Sequence, residues 1–196
     1  RDLKDLLRSE SVDLSLLDED DGVKIGLSTI IRSTTGERSI LAYPGSAIMH
    51  QELLQRLETV ETRWIYASSV NSMELLEGVI KFAELNQIKV CLNPGGLELE
   101  NIDEVRRLLA SVEVLVLNKQ EATKFFGNLD SSGLARAGSE YAKICVVTDG
   151  PNGAYAFDGK VDYSQPISED VKVVDRNGAG DAFASGGSVG YDHKKM

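Results

Sequence analysis

The sequence has few of the residues that build disulfide frameworks or zinc sites. Its 196 residues contain two cysteines, Cys91 and Cys145, and two histidines, His50 and His193. Each cysteine lies inside an apolar run typical of a buried strand, so we expect free thiols, which fit a reducing cytoplasm. The histidines are far apart and have no Cys or His at ligand spacing, which argues against a structural zinc site.

Long apolar runs and an excess of basic charge are also missing. No apolar stretch approaches the roughly 18 residues that a transmembrane helix needs, and the opening RDLKDLLRSE predicts a charged amphipathic helix, not a signal peptide. Acidic residues outnumber basic ones by 31 to 21, for a formal net charge of −10. We therefore predict a cytoplasmic protein without nucleic-acid or membrane partners, although backbone N–H groups could still hold a small anion.

The chain begins without methionine, inside a helical pattern, and ends at YDHKKM, soon after its richest motif. We therefore expect a part of a longer protein. Hydrophobic residues make up 42% and charged residues 27%, which is ordinary for a globular domain. The length is enough for one sizeable core.

Strand and helix patterns alternate through the middle of the chain. We predict strands over 64–68, 88–93, 112–118 and 143–148, and helices over 49–58, 73–85, 101–110, 132–142 and from residue 119. The strands are continuous apolar runs, which favours a mostly parallel sheet covered by helices on both faces. The predicted fold class is therefore α/β.

Polar residues end these predicted strands. They are Ser68 and Ser69, Asn93, Asn118 and Thr148. In a parallel sheet these residues would lie along one edge, where such sheets bind ligands.

Two other segments predict hairpins. The first, at about 23–43, has two β-rich runs around a polar loop and is the one candidate for a separate element. The second, at 153–165, turns at Asp158 and Gly159. A last predicted strand at 171–175 leads into a glycine-rich turn and a helix.

That turn is the motif DRNGAGD at 175–181. Gly178 and Gly180 let the backbone turn tightly and approach a ligand, and free N–H groups at a helix start attract anions. An ionised Asp181 there could accept a proton from an attacking hydroxyl while the N–H groups stabilise charge on phosphate. Alternatively, the glycines only permit the turn and Asp181 is an ordinary first-turn acid. The motif is neither a dinucleotide fingerprint nor a Walker A loop.

Two further strand ends carry polar groups. Asn118 and Glu121, in LNKQEATKFFG, suit a role around phosphate-bound Mg²⁺ through water, but they also match a helix N-cap with a capping-box acid. Thr148, Gly150 and Gly153, in VVTDGPNGAY, could cradle nucleotide phosphates or simply turn the chain into a hairpin. Taken alone, each segment is more simply explained by the structural alternative.

Together, the three motifs resemble the ribokinase-like (PfkB) family of carbohydrate and nucleoside kinases. They follow the order Asn-x-x-Glu, Thr-x-Gly-x-x-Gly and Asp-x-x-Gly-Ala-Gly-Asp, each after an apolar strand. LNPGG at 92–96 is similar to the family's Asn-Pro segment, and the hairpin at about 23–43 resembles its β lid. The resemblance implies that residues 1–196 are the central part of one ribokinase-like α/β domain, a three-layer sandwich with a small β lid.

The resemblance also implies a role for each site residue. Asp181 would be the base that deprotonates the substrate hydroxyl, and Gly178, Ala179 and Gly180 would form the anion hole for the transferred phosphoryl group. Glu121 would serve Mg²⁺ through water. Five residues would border ATP: Asn118, Thr148, Gly150, Gly153 and Gly180.

One position departs from the family pattern. Asp175 and the backbone of Asn177 occupy positions that hold a monovalent cation such as K⁺ in this family. Arg176 replaces the usual small residue between them and would either add a phosphate contact or disturb the cation site.

The implied function is ATP-dependent phosphorylation of a sugar or nucleoside hydroxyl, and ribose, fructose, 2-keto-3-deoxygluconate and nucleosides all stay open as acceptors. The family's sugar-binding opening segment and C-terminal helices find no counterpart in the chain. The alternative is therefore a catalytically incomplete, nucleotide-binding remnant. The uncovered edge of the hairpin is a pairing template, which predicts a homodimer through the lid.

Overall fold

The computed structural model describes residues 3–17, 26–32, 38–43, 52–168 and 178–193. The chain divides into two compact units, residues 1–60 and 61–196, and each is described by itself. That residues 1–196 are the central part of one domain stays a prediction.

The first unit contains an antiparallel hairpin and two short helices. Its elements are α1 (Leu3–Ser9), β1 (Leu27–Arg32), β2 (Arg38–Tyr43) and α2 (Glu52–Leu57). Leu27 pairs with Tyr43 and Arg32 with Arg38, so both strands of the predicted hairpin are confirmed. Residues 23–25 of the predicted first strand and the loop at 33–37 lie outside the described residues.

The second unit contains a six-stranded sheet. Its strands are β3 (Trp64–Ser68), β4 (Lys89–Asn93), β5 (Val114–Asn118), β6 (Ile144–Thr148), β7 (Ala154–Phe157) and β8 (Asp162–Gln165). Its helices are α3 (Met73–Leu85), α4 (Gly96–Glu100), α5 (Ile102–Leu108), α6 (Lys119–Phe126), α7 (Ser131–Ser139) and α8 (Ala179–His193). Short 3₁₀ turns follow α5 at Leu109–Ser111 and β6 at Gly150–Asn152.

The strands lie in chain order from β3 to β8. Pairing is parallel from β3 to β6 and antiparallel from β6 to β8. The predicted parallel sheet and the second hairpin are both confirmed. At the hairpin turn, the Asp158 carboxylate accepts hydrogen bonds from the N–H groups of Lys160 and Val161, at 2.9 and 2.7 Å. The predicted strand at 171–175 lies outside the described residues.

Helices cover both faces of this sheet. On one face, Ala184 of α8 is buried in a cluster with Cys91, Val114 and other strand residues. Cys145 belongs to the opposite face, where α7 approaches so closely that a Cβ on Gly138 would lie 2.3 Å from the Cys145 sulfur. Strand side chains alternate between faces, so continuous apolar runs supply both interfaces.

Both cysteines are free and buried, as predicted. Cys91 and Cys145 lie on β4 and β6, and burial raises the pKa of each thiol to about 12. The thiolate forms are therefore disfavoured, and both side chains act as small apolar core residues.

Helix α3 shows why its segment folds locally as predicted. The Ser72 hydroxyl accepts a hydrogen bond from the Leu75 N–H at 3.2 Å and caps the helix start. Five apolar residues at helical spacing are buried: Leu75, Leu76, Val79, Ile80 and Ala83. The predicted bounds of 73–85 are therefore confirmed at both ends.

The helix predicted over 101–110 is confirmed as α5 and the 3₁₀ turn that follows it, and a further short helix, α4, lies directly before it. The Asn101 side chain donates a hydrogen bond to the Leu97 carbonyl at 2.8 Å and ends α4, while a new helix begins at Ile102. Asparagine competes with the helix backbone for hydrogen bonds, which explains the break at this position.

Truncating a buried leucine of α3 should destabilise the second unit far more than truncating an exposed one. Leu76 is 0% exposed and Leu85 is 84% exposed. We expect Leu76→Ala to lower the free energy of unfolding by ~2–5 kcal/mol, because it removes buried contacts and leaves a cavity. Leu85→Ala should change it by less than about 0.5 kcal/mol. Urea unfolding of the two variants measures the difference, and equal losses would contradict this assignment of the core.

Candidate active site

The polar ends of the parallel strands lie along one edge of the sheet, as predicted. Ser68 pairs with Asn93, and Asn118 pairs with Thr148. The Asn93 side chain donates a hydrogen bond to the Val116 carbonyl at 2.9 Å and joins β4 to β5 at this edge. Two of the three predicted motifs, those at Asn118 and Thr148, are therefore immediate neighbours.

Asn118 and Glu121 form a reciprocal cap at the start of α6. The Asn118 side-chain oxygen accepts from the Glu121 N–H at 2.9 Å, and Glu121 Oε2 accepts from the Asn118 N–H at 2.8 Å. The capping-box alternative is thus present in the structure. Burial raises the pKa of Glu121, and the hydrogen bond from the Asn118 backbone offsets part of that rise.

This cap leaves capacity for a cation. Within the described part of the chain, Glu121 Oε1 has no hydrogen-bond partner, since both bonds between Glu121 and Asn118 use other atoms. A half-buried carboxylate with a raised pKa is stabilised in its charged form by a nearby cation. Oxygen ligands of this type suit Mg²⁺, so the residues present fit the predicted role.

The segment after β6 is a tight turn into β7. Gly150 begins the 3₁₀ turn, and Gly153 follows it directly before β7. The Asp149 N–H donates to the Gly153 carbonyl at 2.8 Å, and the Asn152 N–H donates to the Asp149 carbonyl at 2.9 Å. The turn predicted from the sequence is confirmed, and strand pairing sets its first residue, Thr148, beside Asn118.

Asp149 is a member of this edge that the sequence analysis missed. Its Oδ2 accepts hydrogen bonds from Lys119 Nζ and the Ser131 hydroxyl, both at 2.7 Å. These two donors, Lys119 first, hold the pKa of the Asp149 carboxyl below its usual value. The available signal was its place between Thr148 and Gly150, but its partners lie 18 and 30 residues away in sequence.

The described part of DRNGAGD begins helix α8. Gly178 has a φ of +73°, a conformation that side chains disfavour, and its carbonyl accepts from the Ala182 N–H at 2.9 Å. Residues 178–181 are exposed, whereas Ala184 is buried against the sheet. The first N–H groups of a helix have no partners within the helix. The start of α8 is therefore open to solvent and fits an anion.

The Asp181 carboxylate acts on the adjacent strand β3. Burial raises the pKa of the Tyr66 hydroxyl, and the negative charge of Asp181 raises it further. Tyr66 also packs against the cluster that contains Ala184. The first turn of α8 is therefore electrostatically coupled to the sheet near the carboxyl end of β3.

The predicted cation site lies outside the described residues. This applies to Asp175 and Asn177, and also to Arg176. Among the residues that the structure does describe, no three His, Cys, Asp or Glu side chains cluster in a way that could hold a metal ion. The helices within those same ranges are also too short or too polar to cross a bilayer.

A buried carboxylate joins the loops that follow β3 and β4. Glu98 is 0% exposed and accepts hydrogen bonds from the N–H groups of Asn71 at 2.8 Å and Gly95 at 3.3 Å. Ser69 and Asn71 have φ angles of 46° and 55°, conformations that cluster at functional sites. The sequence analysis missed Glu98, although it stands two residues after LNPGG.

Comparison with known proteins gives a consistent result. Residues 1–195 match the sequence model of the pfkB family carbohydrate kinases. The cytidine kinase of Thermococcus kodakarensis is 33% identical over 110 residues, which are 54% of this chain and 39% of that protein.

Solved structures share the fold at low sequence identity. The adenosine kinase of Sinorhizobium meliloti has a TM-score of 0.78 at 20% identity, over 96% of this chain and 61% of that one. The Burkholderia thailandensis nucleoside kinase in complex with inosine has a TM-score of 0.76 at 13% identity, over 97% of this chain and 63% of that one. The predicted three-layer α/β fold is confirmed, and the chain spans less than two thirds of each relative.

Removing the Glu98 carboxylate should destabilise the loops at this edge. Glu98→Ala leaves two backbone N–H groups without their acceptor, and we expect a loss of ~1–3 kcal/mol of unfolding free energy for each. Glu98→Gln should lose less, because its amide oxygen still accepts one bond. Glu100→Ala is the matched control on the same helix, since Glu100 is exposed. Similar urea midpoints for Glu98→Ala and Glu100→Ala would contradict this role.

Proposed function

Because the chain belongs to the pfkB family of carbohydrate kinases, we propose that it phosphorylates a sugar or nucleoside hydroxyl with ATP as the donor. The observation that supports this most is the exposed first turn of α8, which brings the Asp181 carboxylate and the backbone N–H groups of a helix start together. That turn combines a proton acceptor and anion-binding donors, the two groups that phosphoryl transfer needs from a protein.

In this proposal, Asp181 accepts the proton of the acceptor hydroxyl as its oxygen attacks the transferred phosphorus. The N–H groups of Gly178, Ala179 and Gly180 form the anion hole and donate to the phosphoryl oxygens, where negative charge develops. The positive end of the α8 dipole stabilises both the Asp181 carboxylate and that charge. The sheet supports the helix through buried Ala184 and keeps this turn in place.

In the same proposal, five residues border the nucleotide: Asn118, Thr148, Gly150, Gly153 and Gly180. Their support is the shared edge, where Asn118 and Thr148 pair directly. Glu121 holds Mg²⁺ through water with its uncommitted oxygen. When bound, Mg²⁺ neutralises charge on the phosphates. Asp175 and the backbone of Asn177 hold a monovalent cation, as the family resemblance implies.

Nucleosides are the acceptors to test first. The cytidine kinase is the relative with 33% sequence identity, and simple sugars are the second class. The alternative function is nucleotide binding without transfer, and it is motivated by the matched share of 39–63% of the relatives' length.

We also propose that the β1–β2 hairpin forms a homodimer contact. Leu27, Ile31, Leu41 and Tyr43 share one face of the hairpin by register, and each is 50–68% exposed. An exposed apolar face on a two-stranded sheet is a pairing surface.

Asp181→Asn should abolish phosphoryl transfer and leave nucleotide binding largely intact. The amide keeps the shape of the side chain but cannot take the proton, and a loss of about 100–1,000-fold or more in rate is expected. Glu74→Gln is the matched control, because Glu74 is an exposed first-turn acid of another helix that packs on the sheet. ADP release with ATP, Mg²⁺ and each acceptor of a nucleoside and sugar panel measures the rates.

The same assay distinguishes the alternative function. If the unaltered chain transfers phosphate and Asp181→Asn does so at a similar rate, the assigned mechanism is wrong. Nucleotide binding without ADP release for any acceptor would instead support the non-catalytic alternative.

Charging the hairpin face should weaken the dimer. Leu41→Lys places a cation in the proposed contact, so we expect a larger monomer fraction than for the unaltered chain. Leu85→Lys is the control, since Leu85 is an even more exposed leucine outside the hairpin. Sedimentation velocity measures both variants, and an unchanged distribution for Leu41→Lys would reject this contact.

A further inference from the structure

The Asp149 carboxylate joins three segments at the candidate nucleotide edge. One oxygen, Oδ2, accepts from Lys119 Nζ at the start of α6 and from the Ser131 hydroxyl at the start of α7, each at 2.7 Å. Asp149 itself lies in the turn after β6. A single atom therefore connects that turn to the beginnings of two helices.

This contact is partly buried. The Asp149 side chain is 15% exposed and the whole Ser131 residue 5%, while the Lys119 side chain is 42% exposed. Ser131 is not needed to cap its helix, because Asp130 accepts from the Gly133 N–H at 2.6 Å and fills that role. The Ser131 hydroxyl is thus committed to Asp149.

The backbone of Asp149 also shapes its own turn. Its N–H donates to the Gly153 carbonyl, and its carbonyl accepts from the Asn152 N–H. Asp149 therefore joins the turn through its backbone and ties the turn to α6 and α7 through its side chain. Lys119 follows Asn118 directly, and Asp149 lies between Thr148 and Gly150, so each partner adjoins residues assigned to the nucleotide.

We propose that Asp149 is a positioning residue for nucleotide binding. Through Lys119 and Ser131 it holds the 148–153 turn against the start of α6, so that the Thr148 hydroxyl and the backbone around Gly150 are already placed before nucleotide arrives. This inference rests on the proposed function, because it assigns the ordered turn to the ATP side of the site. Preorganisation of this kind lowers the ordering cost of binding.

Asp149→Ala should weaken nucleotide binding without slowing the chemical step. We expect about a tenfold rise in the Kd for ADP and in the KM for ATP, since a charge-assisted contact is lost. The kcat and the KM for the acceptor should stay within about twofold, because a misplaced turn affects ground-state and transition-state binding of the nucleotide alike. The Kd for ADP and the KM for ATP should rise less in Asp149→Asn, which keeps a side-chain acceptor.

The matched control is Asp162→Ala. Asp162 of β8 also pairs with a side chain of α7, because it accepts hydrogen bonds from Arg136 at 2.7 and 2.8 Å. This pair is more exposed, since the Arg136 side chain is 59% and the Asp162 side chain 42% exposed. The Asp162→Ala variant should bind nucleotide as tightly as the unaltered chain does. Isothermal titration with ADP and Mg²⁺ measures the Kd values directly, without any need for turnover.

Amide hydrogen exchange supplies an independent readout. Without nucleotide, the N–H groups of Asn152 and Gly153 should exchange faster in Asp149→Ala than in the unaltered chain or in Asp162→Ala. If Asp149→Ala fails to fold, Lys119→Met and Ser131→Ala each remove one bond and should each raise the ADP Kd by about threefold.

The outcomes separate this inference from the function on which it rests. If the parent chain binds ADP and Asp149→Ala binds it equally tightly, the positioning role is overturned and the proposed kinase function is unaffected. An equal loss in Asp162→Ala also overturns it, because the effect would then be general destabilisation. Failure of the parent chain to bind ADP overturns both.

Discussion

Parallel pairing from β3 to β6 is the constraint on which the rest of this structure depends. Parallel strands begin at one edge of a sheet and end at the other, so the chain must return each time through a covering helix. The residues that follow each strand are then neighbours whatever their separation in sequence. Asn118 and Thr148, 30 positions apart, become paired partners for this reason.

The same pairing requires both faces of the sheet to be buried. Cys91 and Val114 face α8, while Cys145 faces α7, which approaches through Gly138. Helix α8 is therefore supported by core packing at Ala184, and its first turn can remain exposed without loss of position. A rigid sheet with open loops at one edge is the arrangement that lets polar groups be held for a ligand.

Two carboxylates stabilise the loops at that edge. Glu98 ties the strained loop after β3 to the turn after β4, and Asp149 ties the turn after β6 to α6 and α7. Glu98 is fully buried and Asp149 is partly buried, and the hydrogen bonds of each compensate for the loss of contact with water. Glu98 holds two backbone N–H groups of these loops, whereas Asp149 holds two side chains at helix starts.

Local patterns in the sequence determined much of this protein. The bounds of α3, the four parallel strands and the turn at Asp158 were predicted to within about two residues, because apolar periodicity, capping and turn chemistry act over a few positions. Helix α4 was not predicted, since its five residues are too few to show a helical period. The ordered motifs also identified the family before any tertiary information.

Only the tertiary structure decided which polar residues meet. Glu98 reaches Asn71, and Asp149 reaches Lys119 and Ser131, across 18 to 30 positions of sequence. No periodicity encodes such contacts, because they depend on strand register and on how each helix returns to the sheet. The sequence by itself thus determined the elements and their chemistry, while the packing of those elements selected the partners that hold the edge in shape.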